Sequence, residues 1–149
     1  MRAVILALVT LFTAQSALAQ QGLETVESPY DVATTIDRLT AALESKGMTI
    51  FERVNHAANA EKVELSLRPT EVLIFGNPKL GTPLMNCAPT LAIDLPQKML
   101  AWQDEAGQTH LGWNDPAWLQ ARHGIEGCDE ILQTVSNALA NFAKAATSE

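Results

Sequence analysis

The chain has 149 residues, 17 of them acidic and 10 basic, for a formal net charge of −7. That balance argues against a polyanionic partner, because nucleic-acid binding rests on Lys and Arg neutralising phosphates; no basic run with interleaved aromatics occurs, and no nucleic-acid role is expected. The length suits one domain, and a chain of this size can bury enough surface to fold without a metal or a disulfide.

The first 19 residues have the three parts of a secretory signal. Arg2 is the positive head, Ala3 to Phe12 is an apolar stretch broken only by Thr10, and Ala17-Leu18-Ala19 offers small residues at a cleavage site. The apolar core is about half of the ~20 residues that a spanning helix needs. Cleavage after Ala19 is therefore expected, leaving residues 20–149 as a single domain in the periplasm or outside the cell. No Cys follows the cleavage site to take a lipid, and no later segment is apolar enough to span, so stable membrane insertion is not expected. Loss of residues 1–19 removes one basic residue and no acid, which makes the mature chain slightly more acidic.

Leu23 to Glu27 reads as a short strand. Ser28 is expected to open a helix, with Pro29 in its first turn and Asp31 at its positive end. Val32, Ile36, Leu39 and Leu43 recur at helical spacing, and Gly47 ends the run. Met48 to Val54 is strand-like, and His56 to Glu61 reads as a loop or one helical turn. Val63, Leu65 and Leu67 alternate with Glu64, Ser66 and Arg68, the pattern of a half-buried strand. Pro69-Thr70 turns the chain into a more buried strand, Glu71 to Phe75, stopped by Gly76-Asn77-Pro78. Thr82-Pro83 carries the signature of a helix start. Thr90 to Leu95 has no firm assignment. Gln97 to Gln103 and Gln108 to Trp113 form a hairpin about the Asp104–Gly107 turn. Asp115-Pro116 opens a helix closed by Gly124, and Cys128 or Asp129 opens the last one, with Ile131, Leu132, Val135, Leu139 and Phe142 on one face. Strands joined by short turns pair antiparallel, and helices at the ends of the chain cover one face of the sheet. The expected fold is a two-layer α+β domain.

Ser28 to Gly47, with Ile36, Leu39 and Leu43, resembles the opening helix of the family known as domain of unknown function 302. The likeness runs on through His56-Ala57, Leu67-Arg68-Pro69-Thr70, Leu73-Ile74-Phe75-Gly76-Asn77-Pro78 and Gly81-Thr82-Pro83-Leu84-Met85. It continues with Pro89, Asp94-Leu95-Pro96 and Met99 to Asp104, covering about residues 28–125. The resemblance implies a bent antiparallel sheet backed by helices, of the TATA-binding-protein-like class. It implies no particular activity, since that class hosts unrelated functions. Cys87 and Cys128 lie outside the family pattern.

Three residues are the candidates for a ligand site. His56, between a strand and the Ala57–Glu61 segment, offers an imidazole for proton transfer or for a structural hydrogen bond. Asn77 either presents its amide to a ligand or bonds its own backbone to shape the turn. Met85 lies nearby on the Thr82 helix. Cys87 and Cys128, the only cysteines, are either bridged, as export makes reasonable, or two buried, separate thiols, since the chain can fold without the bridge. Met85, Cys87, His56 and His123 lack any Cys-x-x-Cys, Cys-x-x-Cys-His or His-x-x-x-His spacing, so no metal site is assigned and no cofactor is indicated. His110 is expected at the surface. Trp102, Trp113 and Trp118 are expected to pack in the core or at an interface. Gly-x-Ser-x-Gly, a phosphate loop and His-Glu-x-x-His are all missing. The expectation is a non-enzymatic module that binds a small molecule between sheet and helices, or pairs with a second copy across a sheet edge. The competing expectations are an enzyme or metal- or haem-binding protein that uses His56, with Asn77 in the same pocket, and redox work by the cysteines.

Overall fold

A computed structural model describes residues 22–149, so the export signal expected at residues 1–19 lies outside the described residues. The elements in order are β1 (Leu23–Ser28), α1 (Val32–Ser45), β2 (Thr49–Asn55), α2 (His56–Glu61), β3 (Thr70–Gly76) and α3 (Pro78–Cys87). A 3₁₀ turn (Pro89–Ile93), β4 (Gln97–Gln103), β5 (Thr109–Asn114), α4 (Pro116–His123) and α5 (Asp129–Thr147) follow. The strands form one sheet in the order β1-β5-β4-β3-β2. Every neighbouring pair is antiparallel.

Period-two alternation sorts each strand into two faces. Leu73 and Phe75 of β3, Met99 and Ala101 of β4, and Leu111 and Trp113 of β5 share the inner face and are buried. Against them pack α1, through Val32, Ile36, Leu39 and Leu43, and α5, through Leu132, Val135, Leu139 and Phe142. Full burial of each large aliphatic side chain contributes about 1.5–3 kcal/mol before chain entropy opposes it. The expected two-layer α+β architecture is the observed one.

Three local expectations need correction. Ser28 is the last residue of β1, where its hydroxyl lies 2.7 Å from that of Thr35 in the core. Asp31 caps α1 instead, accepting from the Thr34 N–H at 2.7 Å, and this bond holds its carboxyl below the ordinary range. The helix expected from Thr82 begins four residues earlier at Pro78, capped by Asn77, with Pro83 inside it. Residues Val63–Arg68 form no strand. They are exposed throughout, and Glu64 has a left-handed φ of 59°. β2 and β4 take both sides of β3, the strand this segment would have met across the Pro69-Thr70 turn. The unassigned stretch after Pro89 contains the 3₁₀ turn.

Strand β2 carries a bulge. The register against β3 shifts between Ile50 and Glu52, so Phe51 has no opposite residue. A bulge re-aims the extra side chain. Here the Phe51 ring turns over Gly76, where a Cβ would stand 3.3 Å from it.

Candidate functional site

Between the ends of β3 and β4 on one side, and α3 and α5 on the other, lies a cavity of about 570 Å³. Its floor is the apolar core itself: Phe75, Leu84, Val135, Leu139 and Phe142 are all buried and line it. Phe75 and Phe142 meet edge to face, with ring centroids 6.4 Å apart. Phe51, aimed by the bulge, stands 51% exposed at the rim, beside Met48 of the α1–β2 connection. Its polar side chains come from Lys46, Asn77, Thr82, Gln97 and Asn141, of which Lys46, Thr82 and Asn141 are exposed. The size falls within the ~300–1,000 Å³ of small-molecule sites, and the mostly apolar lining with a few polar groups is their usual composition.

Of the three candidates from the sequence, Asn77 and Met85 line this cavity and His56 does not. Asn77 has a structural duty as well, its Oδ1 accepting from the Lys79 N–H at 3.0 Å to cap α3. His56 begins α2 with its side chain exposed and makes no side-chain hydrogen bond among the described residues. An enzyme built on His56 needs His56 and Asn77 in one pocket, and the structure does not bring them together.

The α3 wall of the cavity is held at its far end by the cysteines. Cys87 ends α3 and Cys128 precedes α5; the two lie at disulfide distance, with Cα atoms 6.7 Å apart, inside the usual range for a bridge. A bridged Cys87 is no metal ligand. No three His, Cys, Asp or Glu side chains among the described residues gather as a metal site.

The neighbouring wall, which includes Ala92, Leu95 and Pro96, is pinned from outside. His123 Nε2 lies 2.6 Å from Asp94 Oδ2, and its Nδ1 lies 2.9 Å from the Thr90 hydroxyl. Arg122 donates to the same carboxylate at 3.3 Å, and Lys98 Nζ donates to the Asp94 and Pro96 carbonyls at 3.0 Å. Hydroxyl, imidazole and carboxylate in a row is also the order of a nucleophile triad. Thr90 does not line the cavity, however, and Asp94 is shared with Arg122. The cluster ties the 3₁₀ segment to α4.

Lys46, Phe51, Gln97 and Asn141 were not found from the sequence. Phe51 left one signal, an aromatic at a position where strict alternation would make it solvent-facing. Lys46 and Asn141 are ordinary helix-end and helix-surface residues until the cavity is seen.

An α+β sheet-and-helix domain with an apolar cavity at one end is thus the class of protein that fold and site define. The chain belongs to the family described as Domain of unknown function DUF302, which matches residues 24–142. It is similar in fold to the crystal structure of an uncharacterized conserved DUF302 protein from Bacillus stearothermophilus. The TM-score is 0.76 at 21% identity, over 85% of this chain and 98% of that one. Among curated proteins it is similar to fluoride-specific ion channel FluC 1 of Brucella suis biovar 1 (strain 1330), 48% identical over 110 residues, covering 74% of this chain and 43% of the relative. A likeness of the same extent, covering 41% of the relative, is found with fluoride-specific ion channel FluC 2 of Brucella melitensis biotype 1. The chain therefore spans less than half the length of the curated relatives it matches.

Proposed function

We propose that this domain is a non-enzymatic binding module that works outside the cytoplasm and holds a small, mainly apolar molecule in the cavity between sheet and helices. The observation that carries this reading is the 570 Å³ space whose floor is made of core side chains. A hydrophobic core normally closes on itself, and voids larger than a water molecule are few. Here Phe51, Leu80, Met85 and Leu95, none of them fully buried, present apolar surface to an open space above the buried Phe75, Leu84 and Leu139. The export signal and the paired cysteines both suit an oxidising compartment.

The test uses the neutral dye N-phenyl-1-naphthylamine, whose emission rises in apolar surroundings. The mature chain is expected to bind it saturably. Gly81 lines the cavity, and a Cβ there would meet only Leu95, at 3.7 Å. Gly81→Leu therefore fills the space and is expected to abolish dye binding without unfolding the protein. Absence of saturable binding to the wild type would reject the reading.

The Brucella relatives favour a second reading, about context. They are named as ion channels, and this sequence matches less than half of each. No helix among the described residues is long and apolar enough to cross a membrane. The pore of those relatives would then come from their other part, and the domain would serve as a soluble companion to a channel. Removing the matching segment from the Brucella suis relative and measuring fluoride efflux from proteoliposomes tests this; an unchanged flux and unchanged regulation would count against it.

A further inference from the structure

The polarity of the cavity is graded, and its single charge has one sign. Phe75, Leu84, Leu139 and Phe142 at the floor are buried, while Lys46 at the opening is exposed. Acids outnumber bases 17 to 10 in this chain, yet no Asp or Glu lines the cavity. Three other cations are engaged elsewhere. Arg53 holds Glu71 and Asp37, Arg122 holds Asp94, and Lys98 bonds two carbonyls. Among the described residues Lys46 makes neither an ion pair nor a side-chain hydrogen bond. The amide side chains of Asn77, Gln97 and Asn141 line the same cavity and offer further N–H donors.

We infer that the occupant is a single-chain amphiphile with an anionic head, a long-chain carboxylate, its head against the Lys46 ammonium and its chain over the accessible apolar lining, Phe51, Leu80, Met85 and Leu95. This rests on the binding reading above and names its ligand class. Two physical requirements meet at one site. The floor rewards apolar area and cannot satisfy a charge, since a bare ion there would lose its hydration without a partner. The rim supplies an ammonium that can form a charge-assisted hydrogen bond, and no Asp or Glu lines the cavity to repel an anion. A cationic amphiphile would meet Lys46 with like charge. A neutral alcohol would use the floor and leave the ammonium unpaired.

The experiment is displacement of N-phenyl-1-naphthylamine from delipidated mature protein. The competitors are decanoate, dodecanoate and tetradecanoate, with dodecanol and dodecyltrimethylammonium beside them, all below their micelle concentrations. Affinity among the carboxylates is expected to rise about fourfold per added methylene until the floor is covered. Dodecanoate should bind about tenfold more tightly than dodecanol, with the trimethylammonium weakest. Lys46→Gln should bring dodecanoate down to the level of dodecanol and leave dodecanol unchanged, and Lys46→Arg should keep the preference. Lys46 is exposed at the end of α1, so neither change threatens the fold. Equal affinity for all three heads, or an equal loss for all of them in Lys46→Gln, would overturn the inference and leave an apolar cavity of no head-group preference. Failure of the wild type to bind the dye at all would instead overturn the binding reading itself.

Discussion

Trp102 lies stacked on His110 across the β4–β5 pair, ring centroids 5.3 Å apart and planes inclined by 24°. The two stand on the outer face of the sheet, away from the helices, and the indole extends over Gly112. A Cβ on Gly112 would be 3.0 Å from that ring and 3.1 Å from the Glu24 carbonyl of β1. Gly112→Ala is therefore expected to force the indole or the edge strand aside, at a cost of about 1–3 kcal/mol. Urea unfolding followed by Trp fluorescence measures it, and an unchanged midpoint would refute the close packing.

His110 Nε2 also lies 2.8 Å from Asp104 Oδ2 in the hairpin turn. That hydrogen bond, with the backbone N–H groups of Gln108 and Ala106, holds the Asp104 carboxyl below its ordinary range. A carboxyl whose folded pKa is depressed adds stability above its unfolded pKa, near 3.9, and loses it as pH falls through the lower folded value. Wild type should therefore lose more stability than Asp104→Asn between pH 5 and the acid limit. Thermal melts across that range compare the two; parallel curves would refute the linkage.

Glu71 is 5% exposed on the inner face at the end of β3, an unusual place for a charge. Its Oε2 accepts from Arg53 Nε at 2.7 Å and its Oε1 from Asn55 Nδ2 at 2.9 Å, while Arg53 reaches on to Asp37 of α1. Burial works against the Arg53 cation, but its bonds to Glu71 and Asp37 outweigh this and raise its pKa. Glu71→Ala is expected to cost about 1–3 kcal/mol by leaving two donors without their acceptor. Arg53→Ala should cost less in the Glu71→Ala background than alone, which a double-mutant cycle reads.

Cys87 and Cys128 are 41 residues apart in the chain. Closing a loop of that length removes unfolded-state entropy worth about 4 kcal/mol. Reductant is expected to lower the stability of wild type by up to this amount and to leave a Cys87→Ser/Cys128→Ser double variant unchanged. A wild type equally stable with and without reductant would show that the bridge contributes nothing.

His123 and Asp94 are both nearly buried, with side chains 5% and 13% exposed. His123→Ala leaves the Asp94 carboxylate with Arg122 alone and frees the Leu95–Pro96 wall. A loss of about 1–3 kcal/mol and weaker dye binding are expected together. Loss of stability with dye affinity intact would separate the tether from the cavity.

The sequence carried most of the fold because most elements are locally consistent. The Val32–Leu43 face, the hairpin about Gly107 and the Asp115-Pro116 start with the left-handed Gly124 stop all appear as their spacing implies. Val63 to Arg68 misled because alternation reports only which residues could share a face. A strand also needs a ladder partner, and β2 had already taken β3. The Thr82-Pro83 signature was outcompeted by an equivalent one at Asn77-Pro78, upstream of it. Asn77 and Met85 could be picked out because they sit at a strand end and on the helix beyond it. Lys46, Gln97 and Asn141 come from three distant parts of the chain and meet only through the tertiary fold, so no local pattern marks them.

The α3 segment has a mechanical character set by its ends. It leaves β3 through the Asn77 cap and is held beside α5 at Cys87, and between those points it rests on the 3₁₀ turn and α5 rather than in the sheet. A strap fixed at both ends can bow but cannot swing. Any entry into its cavity would therefore require widening, and backbone amides in the middle of α3 should exchange with deuterium faster than those of α1 while the sheet beneath stays closed.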